Sequence, residues 1–322
     1  MTDAIDIVYT WCDGSDPEFQ KERNSLCEKL GLPVKTSDDQ LDTEKRYKNN
    51  DELLYSLRSV EKYAPWVNHI YIVTNNQRPE WLNDSPKVTV IDQNVILPKK
   101  IQPVFNSVAI EQYITEIPGL NENFLYLCDD MFFNHKVKPT DFFRNGKPIV
   151  WCFDCNSAFD FSESGWKQTI LNAYVLFLTK SKKYYPFFSP HHGIDAYSKS
   201  LLQKIFRKYP ELYSLNSTPF RSSENVQRIL WSYEMAYGEK CTLKHDLTSS
   251  GNRLVILLHV FLRMKSFWNC LYSPDKSLTA LKISLFLKHQ FSFCINNLEG
   301  EKTQPIKRYL RKRFPKKSSF EK

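Results

Sequence analysis

Apolar and polar positions fall along the first half of this chain in blocks whose length and period separate strands from helices. Ile5 to Trp11 is an unbroken apolar, β-branched and aromatic run that stops at Asp13-Gly14-Ser15-Asp16-Pro17. A run of that length closed by turn residues predicts a buried strand. Residues 18–45 are polar and charged, which predicts a helix and then a mobile loop around Lys35 to Asp42 (35–45 at its widest). Asn50-Asp51-Glu52 offers an N-cap with acids in the first turn. Leu53, Leu57, Val60 and Tyr63-Ala64 follow at helical spacing until Pro65 ends the helix.

His69 to Thr74, Val88 to Ile91 and Phe124 to Leu127 are three further runs of strand length. Ser107 to Ile117 is helical and is broken by Pro118-Gly119. Helices are also predicted around Trp166 to Leu178, from Ala196 to Arg207 and from Ser223 to Tyr237. Leu278, Leu281 and Leu285 beside Lys276, Lys282 and Lys288 read as an amphipathic helix. Strand and helix in alternation predict an α/β fold with an open, mostly parallel, Rossmann-like sheet, helices on both faces and a helical C-terminal region. Ligands of such sheets sit outside the carboxyl ends of the strands. Asp13-Gly14-Ser15-Asp16, Asn75-Asn76-Gln77 and Asp129-Asp130 all fall at such ends, so one rim is expected to carry the site. Residues 1–250 are read as the α/β domain, 251–300 as a helical amphipathic region and 301–322 as a basic tail.

Charge changes this picture only at the C-terminus. Of the formal +8, Glu301 to Lys322 carries +7, which leaves +1 on residues 1–300. A body without a positive track is not built to bind a long nucleic acid. The N-terminus has no basic start and no apolar core, and no run reaches the roughly 18 apolar residues of a membrane span. The longest candidate, Leu254 to Leu262, is short and bracketed by Arg253 and Arg263. Eight cysteines in 322 residues therefore read as cytoplasmic thiols rather than a disulfide framework. Cys152 and Cys155 form a C-x-x-C that Cys241 and His245 could complete as a zinc set, but scattered buried thiols are the preferred reading.

Adjacent acids after an apolar strand suit Mg²⁺ or Mn²⁺, which take carboxylate oxygens and keep positions open for phosphate. Asp129-Asp130 is such a pair, though a solvated turn explains it equally well. His191-His192 lies in a turn where a histidine could take a proton from a hydroxyl. Glu111 reads as a carboxylate on the helix before the pair. Arg221 reads as a guanidinium at a helix N-terminus, suited to phosphate. Each has a bland alternative as a surface residue. Together they supply metal ligands, a base and a balancing cation for transfer at phosphorus.

The run from Ile5 to Pro17 resembles the first signature block of the Stealth proteins, bacterial capsular polysaccharide phosphotransferases. A second block is matched from Arg46-Tyr47-Lys48-Asn49-Asn50-Asp51-Glu52-Leu53 to Pro79-Glu80-Trp81-Leu82. A third runs from Phe105-Asn106-Ser107 through Glu111 to Cys128-Asp129-Asp130-Met131, and a fourth from His192-Gly193-Ile194-Asp195 to Phe220-Arg221-Ser222-Ser223-Glu224. The resemblance implies a glycosyltransferase-A-like fold. It also implies transfer of a hexose-1-phosphate, an N-acetylhexosamine-1-phosphate by preference, from a UDP-sugar to a glycan hydroxyl with release of UMP. It assigns His192 as general base, Asp130 as metal ligand supported by Asp129, Arg221 as the cation on the phosphoryl group, and Glu111 as an orienting acid. Asp13, Asn50 and Arg58 are assigned to the donor pocket, and Mg²⁺ or Mn²⁺ is the implied cofactor.

Three departures stand out: Cys128 where the family has Asn, Leu54 where Arg is common, and Asn76 where Gly is usual. An ordinary metal-dependent glycosyltransferase releasing UDP is the rival reading, and a non-catalytic glycan-binding scaffold is the second. The expected partners are a UDP-sugar and an oligosaccharide or polysaccharide acceptor, with no nucleic acid. The basic tail is read as docking to an anionic inner-membrane surface or a capsule export complex, in an otherwise cytoplasmic protein.

Overall fold

The chain enters at β1 (Ile5–Thr10) and continues through α1 (Pro17–Lys29), α2 (Glu52–Tyr63), β2 (Ile70–Thr74), β3 (Val88–Asp92), α3 (Gln93–Ile96) and α4 (Ser107–Glu111). β4 (Asn123–Cys128), β5 (Met131–Phe133), β6 (Phe143–Arg144), β7 (Lys147–Asp154), α5 (Gly165–Ser181) and β8 (Phe188–Pro190) follow. Then come β9 (Asp195–Ser198), α6 (Lys199–Lys208), α7 (Leu212–Leu215), α8 (Ile229–Tyr233), β10 (Thr242–His245), β11 (Ser266–Tyr272), β12 (Gln290–Ile295) and α9 (Thr303–Arg313). This computed structural model describes residues 4–33, 44–154, 165–190, 193–245, 266–272, 290–295 and 303–322. The expected loop around Lys35 to Asp42, the apolar run Leu254 to Leu262 and the amphipathic stretch around Leu278 to Lys288 lie outside the described residues.

The central sheet has the order β3-β2-β1-β4-β9. Every pairing is parallel except β4 with β9. A fully apolar strand needs cover on both faces, and successive side chains point to opposite faces. Val8, Val73, Phe124 and Tyr126 accordingly join one core, with Ala109, Tyr113 and Ile170. Ile7, Tyr9, Ile72 and Leu125 join a second, against Leu53, Leu57 and Val60 of α2. The sequence thus predicted the mixed α/β class and its mostly parallel sheet correctly. Ala196 to Arg207 begins as strand β9 and turns helical only at Lys199, where Ser198 caps α6 by accepting the Leu201 N–H. The predicted helix over 223–237 is also shorter, with α8 starting at Ile229 and a π turn at Glu234–Gly238.

Two shorter strands extend the fold around the site. β5 pairs antiparallel with β12, placing Phe132 beside Phe293 with ring centroids 4.8 Å apart. Onto this pair docks α9, which lies within the segment read from sequence as a basic tail. Ile306, Leu310 and Phe314 are buried with Tyr55, Phe132, Phe293 and Ile295. They recur at intervals of four, so they form one apolar stripe while Arg308, Arg311 and Lys312 stay exposed on the other side. Beyond the helix, Phe320 is buried in the second core and its carbonyl accepts the Asn83 N–H at 2.9 Å. Charge alone marked this segment as a basic tail; the apolar stripe under the charge packs it onto the body. Among the described residues no helix is long and apolar enough to cross a membrane.

Burial of this stripe makes a direct prediction. Phe314→Ala is expected to lower stability by about 3–5 kcal/mol, the usual cost of removing a buried ring, as read from urea denaturation. Deleting residues 303–322 should abolish the cooperative transition. A deleted protein that melts like its parent would restore the tail to an appendage.

Candidate active site

Register places three strand ends together. Thr10 of β1 lies opposite Val73 of β2 and Cys128 of β4, so the chain leaves all three strands at one edge. Asp13 then donates its N–H to Gln77 Oε1 at 2.9 Å, and Gln77 Nε2 donates to the Asp13 carbonyl at 2.8 Å. The Asp13 carboxylate accepts from Ser15 N–H (2.9 Å), Ser15 Oγ (2.6 Å) and Asn49 Nδ2 (2.8 Å). Burial opposes its ionisation, but the bonds from Asn49 and Ser15 prevail and hold its pKa below the ordinary value. Gly14 is required beside it. A Cβ there would lie 2.6 Å from the Tyr47 Cβ and 2.7 Å from the Tyr47 carbonyl oxygen, which accepts the Gly14 N–H.

The Asp pair sits at the end of β4, half-buried. Burial raises the Asp129 carboxyl well above its usual range, and the charges of Asp130 and Glu52 raise it further. Burial also lifts Asp130, to about 7. A hydrogen bond with the Cys294 thiol and the positive charge of Arg228 work against that rise, and Glu52 adds to it. Glu52, itself only 5% exposed, is raised by burial despite accepting the Asn50 N–H at 2.5 Å. It opens α2, so a helix N-terminus faces this crowd of acids. In the sequence Glu52 reads only as a first-turn acid, and nothing there marks its place in the cluster. Asn50, assigned to the donor pocket, is buried and supports Glu52 through its backbone.

Asp130 Oδ1 is buried with no hydrogen-bond partner. An unmatched carboxylate oxygen beside two further acids fits a divalent cation. Among the described residues no three His, Cys, Asp or Glu side chains form a ready ligand cage. Two aspartates nevertheless suffice for Mg²⁺, which keeps waters and binds through one or two carboxylates plus phosphate oxygens. The zinc set imagined from Cys152 is not assembled among these residues: Cys152 is buried, its thiol directed to the Lys244 carbonyl at 3.7 Å, and Cys155 lies outside the described residues.

Glu111 ends α4 and is 4% exposed, not a surface acid. Its Oε1 accepts the Tyr126 hydroxyl at 2.9 Å and Arg228 Nη1 at 3.2 Å. Arg221 donates to Ser107 Oγ at 2.5 Å and bears electrostatically on Cys12, as do Asp13 and Asp129. It stands in a turn eight residues before α8, so the expected helix N-terminus is not there. Its loop is fixed instead by Asn106, fully buried, whose Nδ2 reaches Thr218 Oγ1 at 3.0 Å and Asn225 Oδ1 at 3.1 Å while its Oδ1 caps α4. One asparagine thereby sets both Glu111 and Arg221. His191 and His192 lie outside the described residues.

Arg58 is not brought to this cluster by any described contact. Its guanidinium meets Glu321 at 2.8 and 2.6 Å and the Phe314 carbonyl at 2.8 Å, so it clasps α2 to the C-terminal segment. The donor-pocket expectation for Arg58 draws no support from these contacts, since a forked donor engaged by a carboxylate has little left for a ligand.

Comparison with known proteins places these features. The family model for Stealth protein conserved region 1 matches residues 3–29, and that for conserved region 2 matches residues 46–150. A capsular polysaccharide phosphotransferase of Actinobacillus pleuropneumoniae is 30% identical over 303 residues, covering 88% of this chain and 82% of that protein. The chain belongs to the Stealth family. An exopolysaccharide phosphotransferase of Streptomyces coelicolor is 34% identical over 69% of this chain and 38% of its own length. A capsular polysaccharide phosphotransferase of Streptococcus thermophilus is 43% identical over 45% of this chain and 59% of its own length. This chain thus spans less than two thirds of those two relatives. A solved galactosyltransferase LgtC complex with donor and acceptor sugar analogues aligns over 97% of this chain and 95% of its own, at 9% identity and a TM-score of 0.44. Within the Stealth regions fall Asp13, Asn50, Arg58, Glu111, Asp129 and Asp130; His192 and Arg221 lie beyond both matches.

The raised carboxyls fix the sign of a pH effect. A folded state that holds protons above the unfolded pKa loses stability as pH rises through its own pKa. For Asp130 that window runs from its ordinary value near 4 up to about 7. In metal-free buffer Asp130→Asn should therefore melt higher than its parent at pH 8 and gain nothing at pH 4, by differential scanning calorimetry. An equal shift at both pH values would remove the crowding argument.

Proposed function

We propose that this Stealth protein transfers a hexose-1-phosphate, N-acetylhexosamine-1-phosphate by preference, from a UDP-sugar to a glycan hydroxyl in capsular or other surface polysaccharide synthesis. The observation that carries the reading is the cluster of Glu52, Asp129 and Asp130 at the end of β4, with Asp130 Oδ1 buried and unmatched within it. Membership of a family whose relatives are named capsular and exopolysaccharide phosphotransferases supports the same chemistry.

In this reading Asp129 and Asp130 hold Mg²⁺ or Mn²⁺, with Glu52 behind them. A bound cation neutralises pyrophosphate charge and stabilises the departing phosphate oxygens. His192 takes the proton of the acceptor hydroxyl, whose oxygen forms a bond to the β-phosphorus of the donor. The bond from that phosphorus to the UMP oxygen breaks, and UMP leaves with the electron pair. Arg221 balances charge on the phosphoryl oxygens. Glu111 accepts a hydrogen bond from a sugar hydroxyl, and Asp13, held ionised, lines the donor side.

Nucleotide product and linkage test this together. The purified protein, incubated with a panel of UDP-sugars, Mg²⁺ and capsule oligosaccharides, should release UMP and yield a phosphodiester resonance by phosphorus NMR. Release of UDP with no phosphorus in the glycan would establish a glycosyltransferase instead. His192→Ala should fold and lose all transfer; unchanged transfer would remove the assigned base.

A further inference from the structure

Arg228 was marked by neither the motif reading nor the family resemblance, yet three separate elements meet on it. It immediately precedes α8, with its side chain only 12% exposed. Nη1 donates to Glu111 Oε1 on α4 at 3.2 Å, and Nε donates to Asp195 Oδ2 at the start of β9, also at 3.2 Å. The guanidinium carbon lies 5.0 Å from the ring centroid of Tyr126 on β4. Tyr126 in turn donates its hydroxyl to the same Glu111 oxygen and exchanges a hydrogen bond with Thr10 Oγ1 at 2.9 Å.

A stabilising ion pair is the simpler explanation, and it accounts poorly for this arrangement. Burying a charge pair costs desolvation comparable to what the attraction returns, so such pairs are weak devices for stability. What the arrangement does produce is orientation. Both hydrogen bonds that Glu111 accepts among the described residues fall on Oε1. Oε2 is left for another donor, and two donors on Oε1 hold that oxygen in place. The planar, forked guanidinium is suited to meeting two acids from different elements at once while stacking on a ring, which an ammonium cannot do. Tyr126 also precedes the Asp pair by three residues on the same strand, so the brace is tied to the acid cluster through covalent structure.

We infer that Arg228 is a positioning residue for the transfer reaction: it aims the free oxygen of Glu111 at substrate and anchors Asp195 at the entry to β9, three residues after His192. The inference rests on Glu111 serving the reaction proposed above. It assigns no direct contact with substrate to Arg228 itself.

The test compares parent, Arg228→Met and Arg228→Lys in steady-state nucleotide release, using a UDP-sugar from the panel that the parent turns over. A positioning role predicts that Arg228→Met lowers kcat by about a hundredfold, the cost of a misplacement of about an ångström. The donor KM should stay within about threefold, since ground-state binding is not what Arg228 provides. Arg228→Lys, able to meet one acid but not both, should recover part of kcat with an unchanged melting temperature. Parent-like kcat in either folded variant would overturn the inference, as would a rise in KM with kcat intact. Should Arg228→Met fail to fold, Arg228→Lys decides alone: kcat must fall at least about tenfold at unchanged KM. A parent that releases no nucleotide, or releases UDP, would count against the proposed function rather than against the comparison of variants.

Discussion

Three carboxylates crowded into one half-buried rim are the constraint on which the site depends. Burial makes all three costly to ionise; the charges of Asp130 and Glu52 add to that cost for Asp129, and Glu52 adds to it for Asp130. Such a group is poor stabilising material. It persists because β4 and α2 are both anchored elsewhere: Leu127 and Leu53 lie in the same apolar core, beneath strands paired in parallel. The fold supplies the stability that the cluster consumes, and a cation with its phosphate ligands would relieve the crowding.

Around that rim the polar groups are sorted by sign. Hydrogen bonds from Asn49 and Ser15 hold the Asp13 carboxyl below its ordinary pKa on the β1 side, while burial lifts that of Asp130 to about 7 on the β4 side. Arg221 faces the first region and Arg228 the second, each tied to α4, through Ser107 and Glu111. Asn106 joins them by capping α4 and tethering the 218–225 loop at the same time. A short helix of five residues, too short to be stable on its own, is thereby made the common support for an acid and a cation.

Much of this was legible in the sequence because it depends on local pattern. Apolar runs ending in polar clusters marked β1, β2 and β4, and their common carboxyl edge placed Asp13, Gln77 and Asp129-Asp130 together. Residues whose role depends on a distant partner left no such trace. Glu52 looks like any first-turn acid, and Arg228 like any polar position near a helix start, until Glu111 and Asp195 are brought beside it. In the C-terminal segment the charge was legible and the apolar stripe beneath it was not. Seven cations in the eleven residues 307–317 outweigh, by eye, the sparse stripe of Ile306, Leu310 and Phe314. Arg58 and Glu321 are 263 residues apart in sequence, so their pairing could only be found in three dimensions.

In the proposed reaction the end of β4 binds a cation and a diphosphate. Anomalous diffraction from crystals grown with Mn²⁺ and UDP tests it most directly. One strong peak bound by the carboxylates of Asp129 and Asp130, with phosphate oxygens completing its shell, is expected, and it should be lost in Asp130→Asn. Diphosphate bound on this rim with no Mn²⁺ at either aspartate would contradict it.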